Sequence, residues 1–226
     1  MSEMLDLNDT MNTNTETPSK KVGKIASTFF TILFVILMLF FGARVYVSTN
    51  YGGVAVDGAS MRQTLQGGEW LLMELTSKGA KADYGDIIVV DVRSYSGSTA
   101  REGFLIKRLI AKGGDKLYCK QGRIFIRYKG AEEYVELDEP YAYYQTGKSL
   151  YNFASYEQPY EIQEGKIFYL GDNRQNSKDS EEEYASANGV IVNETDIHGV
   201  VPQWAITYQV PLRILFLTET YFKQEN

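Results

Sequence analysis

Cysteine and histidine are nearly absent: one of each, Cys119 and His198, stands in 226 residues. A single cysteine excludes an internal disulfide, and with no histidine placed to activate it Cys119 reads as an inert thiol. A single histidine excludes a histidine cluster, and no carboxylate spacing replaces one, so neither a metal nor a cofactor is expected. A Ser–His–Asp triad would have to use His198, and nothing in Asp196-Ile197-His198-Gly199 points that way. Basic charge is also in short supply. The net charge of −6 leaves no electrostatic footprint for nucleic acid, which is not expected as a partner.

From Ile25 to Ala43 charge is missing altogether. At about 1.5 Å per helical residue this run can cross a hydrocarbon core of about 30 Å. It is longer than the apolar region of a cleavable leader, and no small-x-small site precedes Arg44, Val45 and Tyr46. A retained single-pass anchor over residues 25–47 is therefore expected, with the lipid bilayer as a partner. Residues 1–24 hold too few apolar side chains for a core and read as a disordered tail. Lys20, Lys21 and Lys24 precede the span and Arg44 follows it. That bias puts the N-terminus in the cytoplasm and the rest of the chain outside the cell membrane.

What the chain does have, beyond the span, is tyrosine, glycine and short apolar runs. Val54-Ala55-Val56, Trp70 to Met73, Ile87 to Val90, Phe104 to Ile110, Ile124 to Ile126 and Lys166 to Leu170 are separated by glycine-rich turns. This punctuation predicts a mainly β, antiparallel domain over residues 48–226, with a smaller β subdomain at about 112–165. Val210 to Leu217 is too short to span again.

Three segments carry chemistry. In Gly58-Ala59-Ser60-Met61, small residues let a serine hydroxyl stand exposed on a tight turn, with its own N–H free to meet an oxyanion. In Phe104 to Ile110, strand alternation puts Leu105, Lys107 and Leu109 on one face. Lys107 there is either a surface lysine lying along apolar neighbours or a desolvated amine. A desolvated amine favours its neutral form and could serve as a base near pH 7–8, after a drop of about 3 pKa units. The third segment, Gly171 to Ser180, is a polar loop that is either solvated or able to offer a buried amine a neutral hydroxyl partner.

In this order, after one anchor, the segments resemble the type I signal peptidases of the Gram-positive kind. Ser60-Met61-x-x-Thr64-Leu65 resembles the nucleophile motif, and Gly85-Asp86-Ile87-Ile88-Val89-Val90 the strand after it. Ile106-Lys107-Arg108, continued to Gly114-Asp115, is similar to the general-base segment, and Gly171 to Ser180 to the G-D-N-R-x-x-S-x-D-S box. The resemblance implies a signal-peptidase β-fold and a serine endopeptidase that removes signal peptides from secreted preproteins, its substrates. By position it implies Ser60 as nucleophile and oxyanion N–H donor, Lys107 as general base, and Ser177 orienting Lys107. Asp172, Arg174 and Asp179 become structural supports, and Val54, Val56 and Met61 candidates to line shallow pockets for small side chains. Gly58 stands where some members carry a helping hydroxyl. Three positions depart from the pattern: Gln63 replaces the usual proline, Gly113 stands in a usual G-x-P-G-D, and Glu181 ends the box where an arginine is usual. These departures favour the main alternative, a dedicated processing or pilus-assembly factor of narrow specificity or weak activity. A self-cleaving regulator of the same chemistry would need a DNA-binding domain, against the anchor and the acidic charge.

Overall fold

The computed structural model describes residues 18–94, 103–147, 153–177, 179–180, 192–207 and 220–223. Glu181 and the run Val210 to Leu217 lie outside them. The chain divides into two units, residues 1–46 and 47–226.

Helix α1 spans Pro18–Asn50. A proline in the first turn lacks only an N–H that has no helical partner there. At 33 residues the helix is about 50 Å long. It begins seven residues ahead of Ile25, so Lys20, Lys21 and Lys24 belong to its first turns rather than to a tail. Lysine is a good helix former, and an apolar helix behind it supplies the nucleus. Phe29, Phe30, Phe34, Ile36, Leu37 and Phe41 all stand exposed around its circumference. An apolar surface on every side suits a helix in lipid.

The second unit is built on two sheets. The larger contains β1 (Tyr51–Ala55), β2 (Trp70–Leu75), β3 (Ile87–Asp91), β4 (Phe104–Lys112), β9 (Ile167–Leu170), β10 (Ile197–Val201) and β11 (Thr220–Lys223), in the order β11-β1-β2-β10-β3-β4-β9. All its pairings are antiparallel except β1 with β11. The smaller sheet contains β5 (Lys116–Lys120), β6 (Arg123–Arg127), β7 (Val135–Glu136) and β8 (Tyr160–Glu161), in the order β7-β6-β5-β8. Gln121 and Gly122, both at positive φ, make the two-residue turn between β5 and β6. A short helix, α2 (Gln203–Thr207), follows β10.

Strand β4 is the hub. Ile106 packs into a core with Val54, Leu71 and Met73 of β1 and β2. Leu105 and Leu109 pack into another with Ile88, Tyr169 and Ile197. Ile110 joins the core shared with the smaller sheet, beside Leu117, Ile124 and Phe168. Both faces of the middle of β4 are therefore covered, and Lys107 is buried between them.

Candidate active site

Beyond β1 the chain turns at Gly58, which takes a φ of 81°. Arg62 N–H donates to the Ala59 carbonyl at 3.1 Å and Leu65 N–H to that of Met61 at 2.8 Å. Met61 and Leu65 are buried and anchor the turn to the core. Ser60 sits between Ala59 and that anchor. Gln63 holds a φ of 91°, a left-handed backbone that proline's ring forbids. The departure from proline at this position thus comes with a backbone in the Ser60 turn that proline could not adopt.

Lys107, 2% exposed, brings its Nζ to 2.9 Å from Ser60 Oγ. The same Nζ lies 3.2 Å from the Ile106 carbonyl, to which it donates. The hydroxyl and the carbonyl are both neutral groups. The next residue along β4 behaves differently. Arg108 forms a fork with Asp172, Nε to Oδ1 at 2.8 Å and Nη2 to Oδ2 at 2.6 Å, and donates from Nη1 to the Gly85 carbonyl at 2.6 Å. Thr64 Oγ1 adds a third contact to Asp172 at 2.5 Å. The Ser60 turn, β4 and the loop after β9 are so joined through one buried carboxylate.

That loop also grips Ser60 directly. Asn173 N–H donates to the Ser60 carbonyl at 2.8 Å, and Asn173 Nδ2 donates to the Ala59 carbonyl at 2.9 Å. Gly171 N–H donates to Asp179 Oδ2 at 2.8 Å. A side chain at Gly171 would collide with the Ser60 carbonyl, 2.5 Å from its Cβ, and with Ser177. Only glycine lets the two backbones approach this closely.

A second layer comes from residues 139–145. Glu139 pairs with Arg174, and their side chains are 8% and 1% exposed. Tyr141 lies under the Arg108 guanidinium, 3.8 Å from ring centroid to Cζ. Burial first, then Glu139, pushes the Tyr141 phenol up, which keeps it neutral. Tyr143 exchanges backbone hydrogen bonds with the loop on both sides of Asn173, N–H to the Asp172 carbonyl at 2.7 Å and carbonyl from Arg174 N–H at 3.0 Å. Gln145 N–H donates to Gln175 Oε1 at 2.6 Å.

The profile of the signal peptidase family, peptidase S26, matches residues 25–206. The chain belongs to that family. Signal peptidase I T of Bacillus subtilis (strain 168) is 31% identical over 171 residues, 75% of this chain and 82% of the relative. Signal peptidase I U of the same organism is 31% identical over 191 residues, 84% of this chain and 91% of the relative. A crystal structure of a signal peptidase I from Enterococcus faecalis V583 aligns at 24% identity over 54% of this chain and 98% of that one, with a TM-score of 0.40. That overlap is too partial to argue from. Family membership makes this chain a serine peptidase by descent, and the geometry above is where its chemistry must be sought.

Among the expected site residues, the structure brings Ser60, Lys107, Asp172, Arg174 and Asp179 into one neighbourhood. Two expectations need correction. Ser177 Oγ is buried beside Gly171 with no hydrogen-bond partner, so it does not orient Lys107 here. Its place is taken by the Ile106 carbonyl and the Ser60 hydroxyl. Val54, Val56 and Met61 are core residues, 1%, 5% and 2% exposed, packed with Leu65, Trp70 and Leu71. Strand alternation turns Val54 and Val56 to the same side, and that side is the interior rather than an open pocket. His198 packs edge-on against the Phe104 ring at 5.4 Å. Burial, the largest influence, lowers its pKa; Asp91 pulls it up by less, and Arg93 adds a still smaller downward push. Cys119 is buried in the smaller sheet's core. Among the described residues no cluster of His, Cys, Asp and Glu could hold a metal. Sequence reading missed Asn173, Glu139, Tyr141 and Tyr143 as parts of the site. Their partners in the site are 29 or more residues away along the chain, and only Asn173 falls within a pattern, the G-D-N-R box, which gives it no role of its own.

Proposed function

We propose that this protein is a membrane-anchored endopeptidase that removes N-terminal signal peptides from preproteins, with Ser60 as nucleophile and Lys107 as base. The observation that carries this reading is the 2.9 Å contact between the Lys107 amine and the Ser60 hydroxyl, inside apolar surroundings. Burial favours the free amine over the ammonium. The amine takes the Oγ proton as Oγ attacks the scissile carbonyl. Ser60 N–H faces the developing oxyanion. The proton on Lys107 then goes to the departing amine, leaving an acyl-enzyme. Water attacks that ester, Lys107 takes its proton, and Ser60 regains its hydrogen as the new carboxylate leaves.

A peptide with alanine at −1 and −3 of the cleavage point tests this reading. The detergent-solubilised protein should hydrolyse it, and Ser60→Ala should reduce the rate by about 10³-fold or more. Lys107→Arg should do the same although it keeps the charge, because a guanidinium does not deprotonate in this range. Substantial hydrolysis by either variant would remove the Ser60–Lys107 pair from consideration.

The topology we propose has residues 1–17 in the cytoplasm and the β domain outside, from the lysines before Ile25. Protease added to intact protoplasts should digest the β domain and spare an N-terminal tag. Loss of the tag would reverse the orientation.

A further inference from the structure

The alignment of Ser60 depends on one asparagine. We propose that Asn173 is a positioning residue that aims both the Ser60 N–H at the oxyanion and the Ser60 side chain at Lys107. This inference rests on the peptidase reading above.

Two peptide planes meet at Ser60. The Ala59–Ser60 peptide carries the Ala59 carbonyl at one end and the Ser60 N–H at the other, rigidly antiparallel across a trans-planar unit. Asn173 Nδ2 holds that carbonyl at 2.9 Å, so it fixes the direction of the N–H. The Ser60–Met61 peptide carries the Ser60 carbonyl, which Asn173 holds by its own backbone N–H at 2.8 Å. With both planes fixed, the Cα–Cβ bond of Ser60 has one direction left. That direction brings Oγ to 2.9 Å from Lys107 Nζ. A hydrogen bond at the carbonyl end of an amide also polarises it and strengthens the N–H as a donor.

The remaining donor to the Ala59 carbonyl, Arg62 N–H, belongs to the same turn and moves with it. Asn173 is the tie from outside. It is well placed for that duty. Asp172 before it is locked to Arg108, Arg174 after it to Glu139, and Tyr143 pairs alongside. Asn173 is 1% exposed, yet its Oδ1 has no hydrogen-bond partner. Only the NH₂ end can bond a carbonyl oxygen, so the orientation of the amide is fixed by Ala59. A side chain serving only to fill space would not bury an unsatisfied oxygen. Leucine, of similar shape, would fill the same space without it.

The test compares Asn173→Leu with wild type, Asn173→Ala serving as a second variant with the same readouts should leucine fail to fold. Two quantities are measured on folded protein: kcat and KM for the alanine-x-alanine peptide, and the inhibition constant of the matching peptide aldehyde, whose hemiacetal oxygen would sit where the oxyanion forms. The inference expects kcat to fall about 10- to 100-fold with KM changed less than about twofold. The aldehyde should weaken by the same factor as kcat, with the thermal midpoint held or raised in the leucine variant. An unchanged kcat, a loss confined to KM, or a loss accounted for by the unfolded fraction would overturn it. Ser60→Ala is run alongside. An inactive wild type or an active Ser60→Ala would instead defeat the peptidase reading itself, whereas active wild type, inactive Ser60→Ala and an unimpaired Asn173 variant would defeat this inference alone.

Discussion

At the scale of single residues, the serine hydroxyl depends on what is absent beside it as much as on what is present. The Lys107 amine lies 2.9 Å away, while the missing side chain at Gly171 leaves room for the Ser60 carbonyl. A methyl group added there would stand 2.5 Å from that oxygen and 2.6 Å from Ser177 Cβ, both backed by packed backbone. Gly171→Ala should therefore displace the nucleophile turn and lower kcat/KM by about 10²-fold, the usual cost of a misplacement near 1 Å. Peptide hydrolysis together with circular dichroism would check this: lost activity in a folded protein is the expected pair of results. Ser60 and Lys107 are legible in the sequence because each sits in a short pattern whose spacing survives without the fold. Gly171 is legible only as a turn, since the atoms it makes room for come from residues 60 and 177.

Among the elements, β4 places two basic side chains side by side and gives them opposite surroundings. Lys107 meets a hydroxyl and a carbonyl, Arg108 a buried carboxylate and an aromatic ring. The stretch 139–145 supports the second of these and holds the loop after β9 through Arg174 and Tyr143. Glu139→Ala would leave Arg174 charged, buried and unneutralised by its carboxylate, a change worth about 3–5 kcal/mol in comparable pairs. Denaturant titration should show that loss, and the remaining folded protein should hydrolyse peptide more slowly. The strands themselves were open to sequence reading, because alternating apolar runs and glycine turns report on the backbone alone. The stretch 139–145 was not, for a glutamate in an irregular tyrosine-rich segment looks solvent-exposed until Arg174, 35 residues on, is folded against it. Val54, Val56 and Met61 illustrate the converse. Closeness to Ser60 along the chain suggests a pocket wall, but period-two geometry sends the valines inward.

For the molecule as a whole, one histidine gives a clean pH signature. His198 has its folded pKa below the ordinary 6.5, chiefly through burial, so between those two values the unfolded chain binds more protons than the folded one. Stability should accordingly fall as pH drops through about 6.5 and level off below the folded pKa. Asp91, whose carboxyl Arg93 holds low, enters only in the carboxylate range, where its stabilising effect is lost as pH falls further. Denaturation midpoints at pH 7.5 and 5.5, for wild type and His198→Gln, would separate the two: the substitution should flatten the first step and leave hydrolysis at pH 8 largely intact. The hydrogen bonds that build the site span 47, 64, 108 and 114 residues of chain. Contacts of such separation form late in folding. A ribosome delivering this chain in order therefore releases Ser60 and Lys107 well before the loop at 171–173 exists to aim them. Any cutting power that depends on that aim waits until residue 173 has been made, 113 residues after Ser60.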